Sequence, residues 1–187
     1  MRGLALAFLL FGCAHSSPPA PPAPAPAANP APPARTEDVE SMDAILRALY
    51  DSISGPAGGR DWDRVRSLFA PGARLIPVVP AKPPGTAGSS MTKPVVLSLE
   101  EFIEKAGAAV QKEGFYEREI ARKVEQYGDI AQVFSTYESR HAAGDPQPFV
   151  RGINSIQLHH GGGRWWVVTI FWQDETTAGP LPKEFVP

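Results

Sequence analysis

The feature that most constrains the fold is a glycine run between two segments of alternating residues near the C-terminus. Residues 149–157 read FVRGINSIQ, and residues 159–175 read HHGGGRWWVVTIFWQDE. Alternation with a period of two is typical of a β-strand, and three consecutive glycines supply the conformational freedom of a tight turn. The sequence therefore predicts a terminal antiparallel hairpin, with Leu158 opposite Trp166 and Asn154 opposite Ile170.

Upstream of this hairpin the periodicity predicts three helices, a short strand and a second hairpin. The helices begin at three signals, namely Thr36, Asp61 and a capping box formed by Ser98 and Glu101. A short strand is predicted over 73–79. After Gly114 the period changes to two, and a turn at 127–130 pairs Arg122 with Ser135 and Ile120 with Tyr137. We expect four antiparallel strands after the third helix, and either a lid or a passive loop over 80–94, which is rich in Pro, Gly, Ser and Thr.

The N-terminus predicts export and a lipid anchor. Residues 1–13 combine Arg2 with an apolar run that is too short to span a bilayer as a mature helix. They end in Leu-Phe-Gly-Cys, which resembles the lipobox of bacterial lipoproteins and implies lipid on Cys13. We expect attachment to the outer membrane, facing the periplasm. The alternatives are an ordinary secretion signal and a short uncleaved anchor. Residues 14–35, rich in Pro and Ala, are predicted to be an extended linker, and 36–187 a folded domain.

Charge and motif content argue against several classes of function. The chain has a formal net charge of −2, which does not suit a nucleic-acid partner. His159 and His160 are adjacent, so on a strand they point to opposite faces and cannot chelate one ion together. The sequence contains no HExxH, CxxC or GxSxG motif. We therefore expect no metal site and no cofactor.

The order of elements, together with four stretches, resembles the nuclear-transport-factor-2-like superfamily, also called SnoaL-like. The stretches are RDWDRVRSLFAPGARL, GDIAQVFSTYESR, PFVRGINSIQL and RWWVVTIFWQDE. The resemblance implies an α+β fold in which three helices pack on a curved antiparallel sheet to form a cone. It does not imply one activity, because this fold hosts isomerases, cyclases, dehydratases, hydrolases and binding or assembly modules. The acid/base Asp of the isomerase and cyclase members has no counterpart here, since Asp61 and Asp63 are predicted at a helix start.

The predicted sheet places a set of polar and aromatic side chains on its helix-facing side. Buried amide and guanidinium groups need partners, so they suggest a pocket with a polar floor between sheet and helices. The alternative is a filled core in which these groups satisfy one another. The pocket candidates are Trp62, Phe69, Arg122, Ser135, Tyr137, Asn154 and Trp172.

Two further predictions depend on the same register. Glu119 falls opposite Glu138, and like charges directly across strands are unfavourable, so one of them is an acid/base candidate unless neighbouring cations neutralise the pair. The last strand is apolar on both faces. Trp165, Val167 and Phe171 share the face away from the helices, which predicts a homodimer through the sheet.

These observations predict a membrane-anchored lipoprotein whose domain binds a small ligand or serves in assembly. One alternative is an isomerase or dehydratase that uses a pocket carboxylate, and another is a purely structural interaction module.

Overall fold

In the computed structural model, which describes residues 31–81 and 91–187, helices cover one face of a mixed sheet. The sheet order is β2-β1-β7-β6-β5-β4, and β3 pairs with β1. The helices are α1 (Thr36–Val39), α2 (Met42–Ile53), α3 (Trp62–Leu68), α4 (Leu99–Val110) and α5 (Glu175–Ala178), followed by a 3-10 helix at Lys183–Phe185. The strands are β1 (Phe69–Pro80), β2 (Thr92–Pro94), β3 (Leu97–Ser98), β4 (Tyr116–Tyr127), β5 (Ile130–Arg140), β6 (Val150–Gly161) and β7 (Arg164–Asp174).

Two of the three predicted helix caps are confirmed, whereas Thr36 is not a cap but the first residue of α1, which has no side-chain cap. Asp61 caps α3 by accepting from the backbone N–H of Arg64 at 2.9 Å, and Ser98 forms the predicted capping box with Glu101. The first helix is instead split. Ser41 adopts an extended backbone and its hydroxyl accepts from the N–H of Ala44, so it caps α2 and separates it from the one-turn α1. A serine side chain that can bond to nearby backbone favours a cap over a helix interior.

The sheet is mixed, which corrects the expectation of antiparallel pairing throughout. β1 runs parallel to β7, with Leu75 opposite Ile170. A parallel neighbour needs a long crossover, and here the chain supplies α4 and five strands, β2 to β6, between the two. β1 is also longer than predicted and pairs with β2 at its far end, Pro80 lying opposite Thr92. The segment predicted to be a lid or a passive loop, 80–94, thus contains a strand, β2, and the rest of the choice falls on 82–90, which lie outside the described residues.

A bulge at Ile120 changes the register of the first hairpin. The pairs Arg122–Ser135 and Val124–Val133 are as predicted, but Ala121 lies opposite Thr136 and Glu119 opposite Tyr137, so Ile120 is an extra residue. The predicted Ile120–Tyr137 and Glu119–Glu138 pairs are wrong for this reason. A one-residue insertion exchanges the two faces of everything beyond it.

The second hairpin forms around the glycine run, but its predicted register is wrong. Gly162 and Gly163 occupy the turn with φ of 64° and 75°, and Leu158 pairs with Val167. Positive φ at both central residues is the requirement of a two-residue type I′ turn, which explains the glycines. A second bulge, at Val168, then shifts the pairing once more, so that Asn154 lies opposite Trp172.

The bulge at Val168 decides which tryptophans are buried. Trp165 is 8% exposed and Val167 is fully buried, and both belong to the core cluster between sheet and helices. The prediction that they form an outward dimer face is therefore wrong. Phe171, at 43% exposure, does point away from the core. We call the helix-covered side of the sheet the inner face and the other side the outer face.

Part of the outer face is covered by the chain's own C-terminal segment. The carbonyl of Phe185 accepts a hydrogen bond from Thr136 Oγ1 at 2.6 Å. The Phe185 ring lies 5.8 Å from that of Phe134, and Lys123 Nζ lies 4.3 Å from its centroid. Apolar residues on the outer face thus have an intramolecular partner, which the sequence reasoning assigned to a second copy of the chain.

Candidate functional site

A cavity of about 210 Å³ lies between the inner face of the sheet and helices α2, α3 and α4. Its wall is mostly apolar, and a few polar groups reach it from α2, β4, β5 and β6. Such a combination is the usual form of a small-molecule site. Seven of the lining residues are aromatic: Tyr50, Trp62, Phe69, Phe102, Phe115, Tyr137 and Trp172.

Five of the seven predicted pocket residues line this cavity. They come from α3, the start of β1 and three neighbouring strands: Trp62, Phe69, Tyr137, Asn154 and Trp172. Trp172 meets the ring of Phe102 edge-on, with centroids 6.3 Å apart, so β7 and α4 share one wall. The sequence reasoning thus found residues from distant parts of the chain that converge on one space.

Arg122 and Ser135 do not line the cavity. Ser135 is fully buried beneath Tyr50, whose hydroxyl lies 2.6 Å from Ser135 Oγ and also accepts from Asn154 Nδ2 at 3.1 Å. Arg122 lies at the rim of the sheet, where it pairs with Asp43 at 2.6 Å and with Glu119. Tyr50 is one side chain that the prediction missed, because a helix residue cannot be placed over a strand without the helix position.

Glu117 is the carboxylate that reaches the cavity, and it was not among the candidates. It lies near the start of β4, where its N–H donates to Ser54 Oγ at 2.9 Å, so the C-terminal end of α2 fixes the strand. Its Oε2 accepts from Ser139 Oγ at 2.8 Å. The bulge at Ile120 turns this residue to the inner face, whereas uninterrupted alternation would place it outside.

The electrostatics of the cavity follow from the burial of Glu117. Burial is the main cause that raises the pKa of its carboxyl from 4.5 to about 7, and hydrogen bonds from Ser139 and Asn154 partly oppose this rise. Burial also raises the pKa of the Tyr50 and Tyr137 hydroxyls, with a further contribution from the charge of Glu117. Both tyrosines therefore stay protonated at neutral pH, while Glu117 changes charge there.

Glu119 and Glu138, the two acid/base candidates predicted from the sequence, do not line the cavity. Glu119 faces inward but accepts hydrogen bonds from Ser135 and Arg122, and it does not line the cavity. Glu138 lies on the opposite face with Arg140 and Arg118, and hydrogen bonding to Arg140 is the first cause that lowers its pKa. Neither is the pocket acid, because the bulge removes their pairing and gives each a cationic partner.

The tight packing around Tyr137 depends on Gly152 in the neighbouring strand. A Cβ at Gly152 would lie 2.6 Å from the Tyr137 hydroxyl oxygen and 2.5 Å from the carbonyl oxygen of Gln173. Only a residue without a side chain leaves the Tyr137 ring in its place over the sheet. Gly152 thus positions a cavity hydroxyl, although it lines nothing itself.

In residues 31–81 and 91–187 no three His, Cys, Asp or Glu side chains lie close enough together to hold a metal ion. None of the helices described there is long and apolar enough to cross a membrane. Cys13 and the predicted signal peptide lie outside the described residues.

Comparison with known proteins concerns the fold alone. No family model matches the chain, and no curated protein is significantly similar to it. Similar solved structures include an NTF-2-like protein of unknown function from Silicibacter pomeroyi DSS-3 (17% identity, TM-score 0.48, covering 71% of this chain and 92% of that one). Another is a protein from Shewanella frigidimarina, provisionally described as a ketosteroid isomerase (16%, 0.45, 69% and 91%). A third is the CaMKII hub of S. rosetta (17%, 0.44, 71% and 89%).

The architecture confirms the predicted α+β fold class. Helices pack on one face of a curved mixed sheet, and the parallel pairing of β1 with β7 is the departure already noted. A fold of this kind leaves the activity open, so function has to be argued from the cavity.

Replacing Glu117 by Gln tests the electrostatic description. The unfolded chain releases this proton near pH 4.5 and the folded protein near 7, so the wild type loses stability relative to the variant as the pH rises between these values. We therefore compare the free energies of unfolding of the variant and the wild type, measured by urea denaturation. We expect this difference to shift in favour of the variant by about 1–3 kcal/mol between pH 5 and pH 8. Glu125→Gln, on an exposed part of the same strand, is the control. If the difference in free energy of unfolding between Glu117→Gln and the wild type did not change with pH, the prediction would be contradicted.

Proposed function

We propose that this domain binds a small, mostly apolar ligand in the cavity, within a protein held at the bacterial outer membrane by lipid on Cys13. The observation that supports binding is the open cavity itself, which is walled by aromatic rings and carries Glu117, Tyr137 and Asn154 as convergent polar groups. A large apolar pocket with a few polar groups is the expected form of a ligand site.

The size of the cavity limits the ligand. An apolar cavity of about 150 Å³ is enough for benzene, so a volume of about 210 Å³ suits a compound of roughly ten non-hydrogen atoms. Contact with Trp62 and Trp172 would supply most of the affinity, because burial of apolar surface contributes about 25 cal/mol per Å². The polar groups would fix the ligand's orientation.

An isomerase or dehydratase activity is the second candidate, and Glu117 is the observation that favours it. A carboxyl group whose pKa is raised to about 7 is suited to accept and return a proton near neutral pH. The protonated hydroxyl of Tyr137 lines the same cavity and could donate a hydrogen bond to an oxygen that becomes negative. The sign of this activity would be a rate that falls when the pH drops through 7 and is lost in Glu117→Gln.

The lipid anchor and the homodimer stay predictions. The anchor is supported by the lipobox-like residues before Cys13 and by the Pro/Ala-rich residues 14–35, which would hold the domain away from the bilayer. Of the predicted dimer face only Phe171 is exposed, so self-association would have to use Phe171 with other outer-face residues.

Filling the cavity tests the binding proposal. Ala106 lines the cavity from α4, whereas Ala108 is exposed on the same helix. We expect benzyl alcohol, a small neutral probe, to alter the tryptophan fluorescence and raise the Tm of the wild type. Ala106→Phe should weaken this response at least about tenfold because the ring occupies the ligand's space. Ala108→Phe should bind like the wild type, and equal binding by both variants would refute the site.

Replacing Cys13 by Ser tests the anchor. In a bacterial host we expect the wild-type chain to incorporate labelled fatty acid and to sediment with membranes. The Cys13→Ser chain should incorporate none and should leave the membrane fraction, because its only lipid attachment point is gone. Ser16→Ala is the matched control. If the Cys13→Ser chain remained membrane-bound, an uncleaved apolar anchor would replace the lipoprotein interpretation.

A further inference from the structure

The composition of the cavity wall narrows the chemistry of the ligand. In the part of the chain that the structure describes, aromatic rings make up seven of the seventeen lining residues, and Glu117 is the one charged residue among the seventeen. Aromatic faces carry negative potential, and so does an ionised carboxylate. Both kinds of group attract cations and repel anions, so the wall as a whole selects for the sign of the ligand's charge.

Glu117 has hydrogen-bond donors but no cation at the cavity. Ser139 and Asn154 are the donors to its carboxylate, and among residues 31–81 and 91–187 no Lys, Arg or His lines the cavity. The arginines of β4 and β5 are committed elsewhere: Arg118 and Arg140 pair with Glu138, and Arg122 pairs with Glu119 and Asp43. A buried carboxylate without a cationic partner is costly, and a ligand that brings the cation removes that cost.

The aromatic residues nearest to Glu117 are placed to contact such a cation. Tyr50 and Tyr137 lie close enough to Glu117 for its charge to raise the pKa of their hydroxyls. Phe115, two residues before Glu117 in the chain, also lines the cavity. An alkylated ammonium group surrounded by aromatic faces is stabilised by cation–π contacts with them.

We propose that the cavity recognises an apolar compound that carries a protonated or quaternary ammonium group, with the cation at Glu117 and the apolar part against Trp62 and Trp172. This inference rests on the proposed ligand-binding function. The same ammonium chemistry occurs in free amines and in choline head groups of lipids, and the experiment below separates these two sources.

The pH dependence of binding follows from the groups around Glu117. Facing it are Tyr50 from α2, Tyr137 and Ser139 from β5 and Asn154 from β6, with Asp174 of β7 and Glu119 of its own strand acting on the tyrosines. On its other side Glu117 also lines a second pocket of about 390 Å³, together with Asp51, Tyr116, Arg118, Arg140 and Asp145. Of the groups at the cavity, Glu117 changes charge near neutral pH, so affinity for a permanent cation should rise from pH 5 to pH 8.

A pair of probes that differ only in charge tests the inference. Benzyltrimethylammonium and its carbon isostere neopentylbenzene have the same shape, and each can be titrated by tryptophan fluorescence and by Tm. At pH 8 we expect the wild type to bind the cation at least about tenfold more tightly than the isostere, and at pH 5 this preference should fall about tenfold.

Variants connect the preference to Glu117. Glu117→Gln should lose the preference for the cation while it keeps its affinity for neopentylbenzene, which also shows that the cavity is intact. Glu125→Gln, the same change at an exposed position of β4, should behave like the wild type. If Glu117→Gln fails to fold, the pH dependence of the wild type still decides the matter.

The outcomes distinguish this inference from the proposed function. Equal and pH-independent binding of both probes overturns the ammonium proposal and leaves ligand binding in place. Binding of neither probe to the wild type, together with no response to benzyl alcohol, refutes both. Selective binding of the free cation supports the proposal. Competition by phosphatidylcholine vesicles, but not by phosphatidylglycerol vesicles, would in that case assign the ammonium group to a lipid.

Discussion

The chemistry of the cavity depends on one extra residue in β4. Ile120 has no partner in β5, and on either side of it the pairs Ala121–Thr136 and Glu119–Tyr137 are formed normally. Because the side chains of a strand alternate between faces, this bulge places Glu117 and Glu119 on the inner face together with Tyr137 and Ser139. The Glu119 carboxylate accepts hydrogen bonds from Ser135 and Arg122, whereas the Glu117 carboxylate lies at the apolar wall of the cavity.

A second bulge, at Val168, determines which aromatic side chains of β7 face the helices. It places Trp165 and Val167 in the core and Trp172 opposite Asn154 at the cavity. The outer face then keeps Phe171, while the C-terminal segment covers its neighbour Phe134 through Phe185. The apolar side chains on both faces of β7 thus have partners within one chain. The inner face packs against the helices and lines the cavity, and the outer face is covered in part by the C-terminal segment.

Much of the scaffold was predictable, because local signals determine it. The capping groups of Asp61 and Ser98 and the glycines of the second turn act within four residues, so the sequence shows them directly. The strand registers beyond a bulge were not predictable, since pairing there depends on packing against helices elsewhere in the chain. The consecutive apolar residues Ile120 and Ala121 stand between the charged residues Glu119 and Arg122, and two adjacent apolar side chains were the available signal of a break in alternation. For Tyr50 there was no comparable signal, because its contact with Ser135 spans 85 residues.

The central claim is that a carboxylate lies against an apolar cavity without a cation, and its titration is the direct test. With carboxyl-labelled glutamate, the ¹³C resonance of Glu117 can be assigned by its loss in Glu117→Gln and followed from pH 3 to pH 9. A midpoint at about pH 7, in keeping with its raised pKa, would support the described arrangement. A midpoint near 4.5, the ordinary value for a solvated glutamate, would show that Glu117 faces water and would contradict it.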